Sequence, residues 1–123
     1  DISQLSGECN TWREELRQLR DEFTKDKILL QQAASPTLSK DQLQDVEHLH
    51  NQFHIQLINI HDLKQAIKVH ERKLGMEMAG NNGQITEETS AYHDNLFDQY
   101  QSLKNTLDGL SDEFRQFLDR AKN

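Results

Sequence analysis

The N-terminal part of this chain carries apolar side chains at alternating spacings of three and four residues. This stripe, which we call seam A, is interrupted only at Asp26. A period of about 3.5 residues keeps one face of a long helix turned toward another helix. Seam A therefore predicts a protein built by helix packing rather than around a catalytic cleft. Its members are Ile2, Leu5, Cys9, Trp12, Leu16, Leu19, Phe23, Leu30 and Ala33.

Two breaks divide the chain into three helical segments. Pro36 disfavours helix at the residue before it, and Ser39 and Gln42 then match a capping box, in which each side chain accepts a hydrogen bond from the other residue's backbone N–H. Residues 80–83 read Gly-Asn-Asn-Gly, which tolerates the left-handed conformations that end helices, and Thr86 can cap the next helix. The predicted helices span about 2–34, 40–79 and 86–122 within one domain, 1–123.

The second and third segments repeat the seam of the first. The second seam is the most polar of the three, whereas the third keeps its apolar spacing throughout. Apolar members of the second seam are Leu43, Val46, Phe53, Leu57, Ile60, Ile67, Leu74 and Met78; its polar members are His50, Lys64 and Glu71, and Leu49 and Leu63 lie beside it. Members of the third are Leu96, Tyr100, Leu103, Leu107, Leu110, Phe114, Phe117 and Ala121.

Three seams of similar length can fold onto one another or pair with a second chain. Short linkers favour antiparallel neighbours within one chain. Large aromatic rings at seam positions also fit the volume between three helices better than the narrow core of a two-stranded coiled coil. We therefore predict an all-α, elongated antiparallel three-helix bundle that is a monomer rather than a dimer. The predicted core residues are Trp12, Leu16, Leu19, Phe23, Phe53, Leu57, Ile60, Tyr100, Leu103, Leu107 and Phe114.

The composition argues against several classes of function. The 123 residues carry a net charge of −7, which opposes binding to nucleic-acid phosphates. No apolar run is long enough to cross a bilayer, so we expect no direct membrane insertion. The single cysteine allows no intrachain disulfide and favours a reducing, cytoplasmic location. We expect a solvated helix face at the densest basic cluster, which is Lys64, Lys68, Arg72 and Lys73.

Three histidines fall on one stripe of the second predicted helix. His50, His54 and His61 are separated by four and seven residues. Two histidines four residues apart can bind one zinc ion, but Asn51 rather than a glutamate follows His50, so the zinc-protease motif is absent. We interpret the stripe as half-buried histidines lining the second seam, and we predict no metal site and no cofactor. Protonation of all six histidines, which would bring the net charge from −7 to −1, is expected to weaken the fold or alter self-association near pH 5.5, roughly a unit below the ordinary histidine pKa.

Cys9 lies on seam A, where a buried thiol acts as a small hydrophobic residue. A catalytic thiol needs a positioned base in an electropositive niche. The sequence neighbours Glu8 and Asn10 supply neither. We predict no catalytic residue and no enzymatic activity.

The pattern resembles a spectrin repeat, a three-helix unit found in tandem arrays. Such repeats carry a tryptophan in the first helix, an aromatic residue followed three positions later by leucine in the third, and a His, Phe, Leu, His row in the second. Two features depart from that pattern, since Tyr100 stands where the family has tryptophan and the helices are longer than usual. The matching positions are Trp12, Tyr100, Leu103, His50, Phe53, Leu57 and His61.

The resemblance implies a structural spacer or docking module of the kind found in spectrins, dystrophin-like proteins, plakins and nesprins. Its partners would be neighbouring helical repeats or a scaffold or cytoskeletal protein, and its location would be the cytoskeleton. The alternative is a dimeric coiled-coil adaptor or membrane-traffic tether, a class that includes the three-helix regulatory domains of SNARE proteins. Molecular mass in solution distinguishes a monomeric bundle from such a dimer.

Overall fold

The computed structural model describes residues 1–34 and 37–121, which form three α-helices and no strand. These helices are α1 (Ile2–Ala33), α2 (Lys40–Gly80) and α3 (Glu87–Ala121). The prediction of an all-α three-helix bundle is confirmed. The predicted helix break at Pro36 lies outside the described residues.

Each helix begins at a side-chain cap that the local sequence supplies. Asp1 accepts a hydrogen bond from the Ser3 backbone N–H at 2.7 Å at the start of α1. The predicted capping box opens α2, because Ser39 Oγ accepts from the Gln42 N–H at 3.1 Å and Gln42 Oε1 accepts from the Ser39 N–H at 2.9 Å. Thr86 Oγ1 accepts from the backbone N–H of residue 89 at 3.1 Å before α3. Such caps satisfy backbone donors that have no partner inside the helix.

A tight connection joins α2 to α3. Asn82 and Gly83 have φ angles of 54° and 76°, so both residues adopt the left-handed conformation. Glu77, near the end of α2, accepts hydrogen bonds from the Thr86 N–H at 2.8 Å and the Thr89 hydroxyl at 2.5 Å. The bond from Thr89, followed by the backbone bond from Thr86, lowers the pKa of Glu77 below its usual range. The carboxylate therefore holds the end of α2 against the start of α3.

Contacts between side chains give the direction of each helix. Arg13 of α1 pairs with Glu71 of α2, which shows that the two helices run antiparallel because the start of one lies beside the end of the other. His48 of α2 lies 3.2 Å from Glu113 of α3, so this pair is antiparallel as well. It follows that α1 and α3 run parallel, and Lys104 Nζ indeed lies 3.4 Å from Glu15 Oε2. The chain therefore goes up, down and up, and α1 begins at the opposite end of the bundle from where α3 ends.

The core runs along the interior of the bundle and takes residues from all the described helices. Leu19, Leu57 and Leu103 are half-buried at its edge, and the other predicted core residues are buried. Asp26, which interrupts seam A, is half-buried. Burial raises the pKa of its carboxyl, with repulsion from Glu22 adding to the effect and Arg115 opposing it.

The buried face of α2 differs from the predicted second seam. Phe53, Ile60, Ile67 and Leu74 belong to both, but the positions between them are shifted by one residue. Half-buried are His50, Leu57, Lys64 and Glu71, whereas Leu49, Gln56, Leu63 and His70 are buried. The middle helix packs against both neighbours, so its buried face is wider than a seam facing one partner.

Two predicted seam positions at the ends of α2 are also wrong. Leu43 is 41% exposed and Met78 is 49% exposed. α2 has 41 residues, against 32 in α1 and 35 in α3. Its first and last turns therefore have less of the neighbouring helices beside them, and apolar side chains there remain in contact with solvent.

Candidate functional site

One layer of the core is polar, and each helix contributes one side chain to it. Cys9 comes from α1, His70 from α2 and His93 from α3; their exposed fractions are 0%, 1% and 3%. We call these residues the Cys-His-His layer. Cys9 belongs to seam A, whereas His70 lies on the shifted face of α2 and His93 continues the third seam by one step toward the start of α3.

Short distances join the three side chains. His70 Nε2 lies 2.9 Å from His93 Nδ1, and Cys9 Sγ lies 3.9 Å from the same nitrogen. One ligand atom from each residue can be chosen so that all three atoms lie within 4.8 Å of one another. Within residues 1–34 and 37–121, this is the one group of three or more Cys, His, Asp or Glu side chains that could hold a metal ion.

Glu8 orients His93 from the rim of the layer. Its Oε1 lies 3.0 Å from His93 Nε2, and its side chain is 38% exposed, so the carboxylate reaches from solvent to the buried ring. A carboxylate accepts the hydrogen bond, which places the Nε2–H of His93 on Glu8 and leaves Nδ1 as an acceptor facing inward. The Nε2–H of His70 then donates to that Nδ1.

Aromatic rings surround the two histidines. The Trp12 ring lies 4.9 Å from His93, and the Tyr92 ring lies 5.4 Å from His70, measured between centroids. Among the described residues, His70 Nδ1 has no hydrogen-bond partner. The layer is thus a polar group enclosed by apolar surface, and an unpaired polar atom there destabilises the fold.

Burial sets the protonation of Cys9 and His70. Burial, followed by repulsion from the nearby Glu71 and Glu8 carboxylates, raises the pKa of the Cys9 thiol to about 12. Burial, followed by the neighbouring His93, lowers the pKa of His70. At neutral pH the thiol therefore keeps its proton and His70 is uncharged.

The fold places a base near Cys9 that its sequence neighbours do not supply. The sequence neighbours offer no base, but α3 brings the His93 imidazole within 3.9 Å of the thiol. A nucleophilic cysteine requires a lowered thiol pKa and access to substrate. Cys9 has the opposite properties, since it is fully buried and its pKa is raised. A thiolate and two imidazoles are instead a donor set that transition metals bind.

The predicted histidine stripe does not coincide with this layer. His50 is half-buried, whereas His54 and His61 are exposed on α2. The layer could have been found by extending two patterns. His70 is seven residues from Leu63, which lies beside the second seam, and His93 lies three residues before Leu96. What the sequence does not contain is the register that sets the two histidines beside Cys9.

A groove between α2 and α3 is the other concave feature of note, with a volume of about 490 Å³. Its lining includes the amide and carboxyl side chains of Asn59, Asp62, Asn95 and Asp98. These side chains are exposed, so water competes for their hydrogen bonds. We assign no site to this groove.

Fold and site together define an all-α three-helix bundle with a buried polar layer. No protein-family model matches the chain, and neither a curated protein nor a solved structure gives a match. Across residues 1–34 and 37–121, the structure contains no helix with the length and apolar character needed to span a bilayer.

Proposed function

We propose that this chain is a non-enzymatic structural and protein-interaction module of a cytoskeletal or scaffold protein, located in the cytoplasm and similar to a spectrin repeat. One observation carries the proposal: α1 begins at one end of the bundle and α3 ends at the other. A bundle of this geometry keeps whatever is joined to its two ends separated by the length of the bundle. At a rise of about 1.5 Å per residue, that length is roughly 50–60 Å.

Contacts between α1 and α3 support a rod that keeps its shape. The Trp12 and Tyr100 rings stack with centroids 5.8 Å apart, and the Trp12 ring also lies 5.7 Å from Phe97. Glu15 and Lys104 lie nearby on the surface of the same pair of helices. Trp12 and Tyr100 are also two of the residues on which the resemblance to spectrin repeats rests. The partners under this proposal are neighbouring helical repeats or a scaffold protein.

Mass and shape in solution test the proposal. Sedimentation equilibrium should give a monomer of 14.4 kDa, and small-angle X-ray scattering should give a maximum dimension of about 60–70 Å, since α2 alone is roughly 60 Å long. A stable dimer at micromolar concentration, or a compact sphere, would refute the monomeric rod. In cells, a tagged chain should remain with the detergent-insoluble cytoskeleton, and complete extraction would refute that part of the proposal.

A second candidate is the dimeric adaptor, which one surface feature favours. Ile55, Ile58, Val69 and Met76 are exposed on α2 and fall within about 60° of arc at 100° per residue. A second copy of α2 could cover this stripe. If sedimentation shows a dimer, Val69→Lys should dissociate it, whereas Lys68→Ala on the neighbouring surface should leave it intact.

A further inference from the structure

We propose that Cys9, His70 and His93 together bind one Zn²⁺ ion, which cross-links α1, α2 and α3 at one level of the bundle. The chemistry of the donors is the first argument. Zinc in proteins is bound by cysteine sulfur and histidine nitrogen, usually with tetrahedral geometry, and where the protein supplies three ligands a water molecule takes the fourth position. Each donor here stands on a different helix, and all are buried.

Two of the three distances between donors are close to those of a tetrahedral zinc site. Zn–N bonds of about 2.0–2.1 Å and Zn–S bonds of about 2.3 Å place two nitrogens roughly 3.3 Å apart and a nitrogen and sulfur roughly 3.6 Å apart. His70 Nε2 and His93 Nδ1 are 2.9 Å apart, and Cys9 Sγ and His93 Nδ1 are 3.9 Å apart. Shifts of a few tenths of an ångström in these side chains bring both pairs to the zinc geometry. The ligand atoms of the remaining pair, Cys9 and His70, lie within 4.8 Å of each other.

Glu8 completes the arrangement outside the ligands. A histidine that binds a metal through one nitrogen commonly donates its other N–H to a carboxylate, which fixes the ring and raises its basicity as a ligand. His93 does this already, with Nε2 on Glu8 and Nδ1 facing Cys9 and His70.

Protons and charges balance when zinc binds. The Cys9 thiol loses its proton to solvent, and His70 carries its single proton on Nδ1 so that Nε2 can bind the metal. Two neutral imidazoles, one thiolate and Zn²⁺ leave a charge of +1, which the Glu8 carboxylate neutralises. The hard cations Mg²⁺ and Ca²⁺ prefer oxygen ligands, and the inner set of donors contains none.

Metal titration of the full chain tests the proposal. After treatment with a chelator, the protein should take up one Co²⁺ per chain and show a thiolate-to-cobalt charge-transfer absorption band in the near ultraviolet. Cys9 is the only cysteine, so this band can arise only from its thiolate. Zn²⁺ should displace the cobalt and raise the melting temperature. Absence of the band in the native-sequence protein would overturn the proposal without need of any variant.

Variants then assign the ligands. Cys9→Ser should remove the band and weaken zinc binding by more than the roughly 10–100-fold loss expected for Glu8→Gln, which removes only the supporting carboxylate. His54→Gln combined with His61→Gln is the matched control, since both residues are exposed on α2, and it should bind like the native sequence. Equal zinc affinity in Cys9→Ser, or loss of binding in the control, would overturn the assignment. Neither measurement depends on a protein partner, so the proposed function and the metal site can fail separately.

Discussion

Phe53 lies at the centre of an aromatic cluster that takes one ring from each helix. It is fully buried, and its ring centroid lies 5.5 Å from Phe23 of α1 and 5.3 Å from Phe114 of α3. Replacing a buried phenylalanine by alanine destabilises a protein by about 3–5 kcal/mol. The two ring pairs, each worth about 0.5–1.5 kcal/mol beyond the burial of apolar area, place Phe53 in the upper part of that range. We therefore expect Phe53→Ala to lower the free energy of unfolding by about 4–5 kcal/mol.

This loss converts to a large change in melting temperature. The entropy of unfolding of a 123-residue domain is about 0.26 kcal/mol/K, from roughly 2.1 cal/mol/K per residue. The expected loss then lowers the melting temperature by about 15–20 °C. Because the whole stability of such a domain is about 5–15 kcal/mol, Phe53→Leu, which keeps most of the volume, should be measured beside it.

The assay uses Trp12, the only tryptophan, as a reporter on a different helix. Urea unfolding would be followed by its fluorescence and by helical circular dichroism, with Ile58→Ala as the control. Ile58 is exposed on the same helix as Phe53, so its truncation should change stability by less than about 0.5 kcal/mol. A loss below about 1 kcal/mol for Phe53→Ala would show that the three rings do not meet in one core, and the bundle assignment would be wrong.

Three further predictions concern single positions. Ser39→Ala removes the cap of α2 and should lower stability by about 1 kcal/mol in thermal melts. Gly109, inside α3, has open space around a Cβ, so Gly109→Ala should add about 0.5–1 kcal/mol, whereas Gly83→Ala, at φ +76°, should destabilise; equal effects would contradict the backbone geometry. The raised pKa of Asp26 means that the native state holds its proton more tightly than the unfolded chain, so ionisation weakens the fold as pH rises past the usual aspartate range. Asp26→Asn should therefore be more stable at pH 7 and lose that advantage below about pH 4; a gain independent of pH would exclude the charge as its cause.

The helices and their number follow from local signals in the sequence. Seam A, the capping box at Ser39 and the Gly-Asn-Asn-Gly turn each depend on residues close together in the chain. The shifted buried face of α2 does not follow from such local signals, because it depends on how the helix is rotated about its axis between its two neighbours. Leu49 and Leu63 lie on the shifted face and occupy the same heptad position. His70 occupies that heptad position as well.

The Cys-His-His layer shows where local patterns stop being informative. Cys9 and His93 are 84 positions apart, and His70 and His93 are 23 apart. Their meeting depends on the relative sliding of α1, α2 and α3, and a slip of one turn would move a partner by about 5.4 Å. The sequence can state which residues face the core, but the packing of the bundle decides which of them share a layer.

The parallel arrangement of α1 and α3 has a consequence for folding kinetics. Pairing of α1 with α2, or of α2 with α3, closes one short loop and can occur early, whereas Cys9 reaches His93 only after the third helix has docked. The thiol is then shielded by the last interface to form. The rate at which a thiol reagent labels Cys9 in the native protein therefore measures how often α1 or α3 leaves the other two helices, before the chain unfolds as a whole.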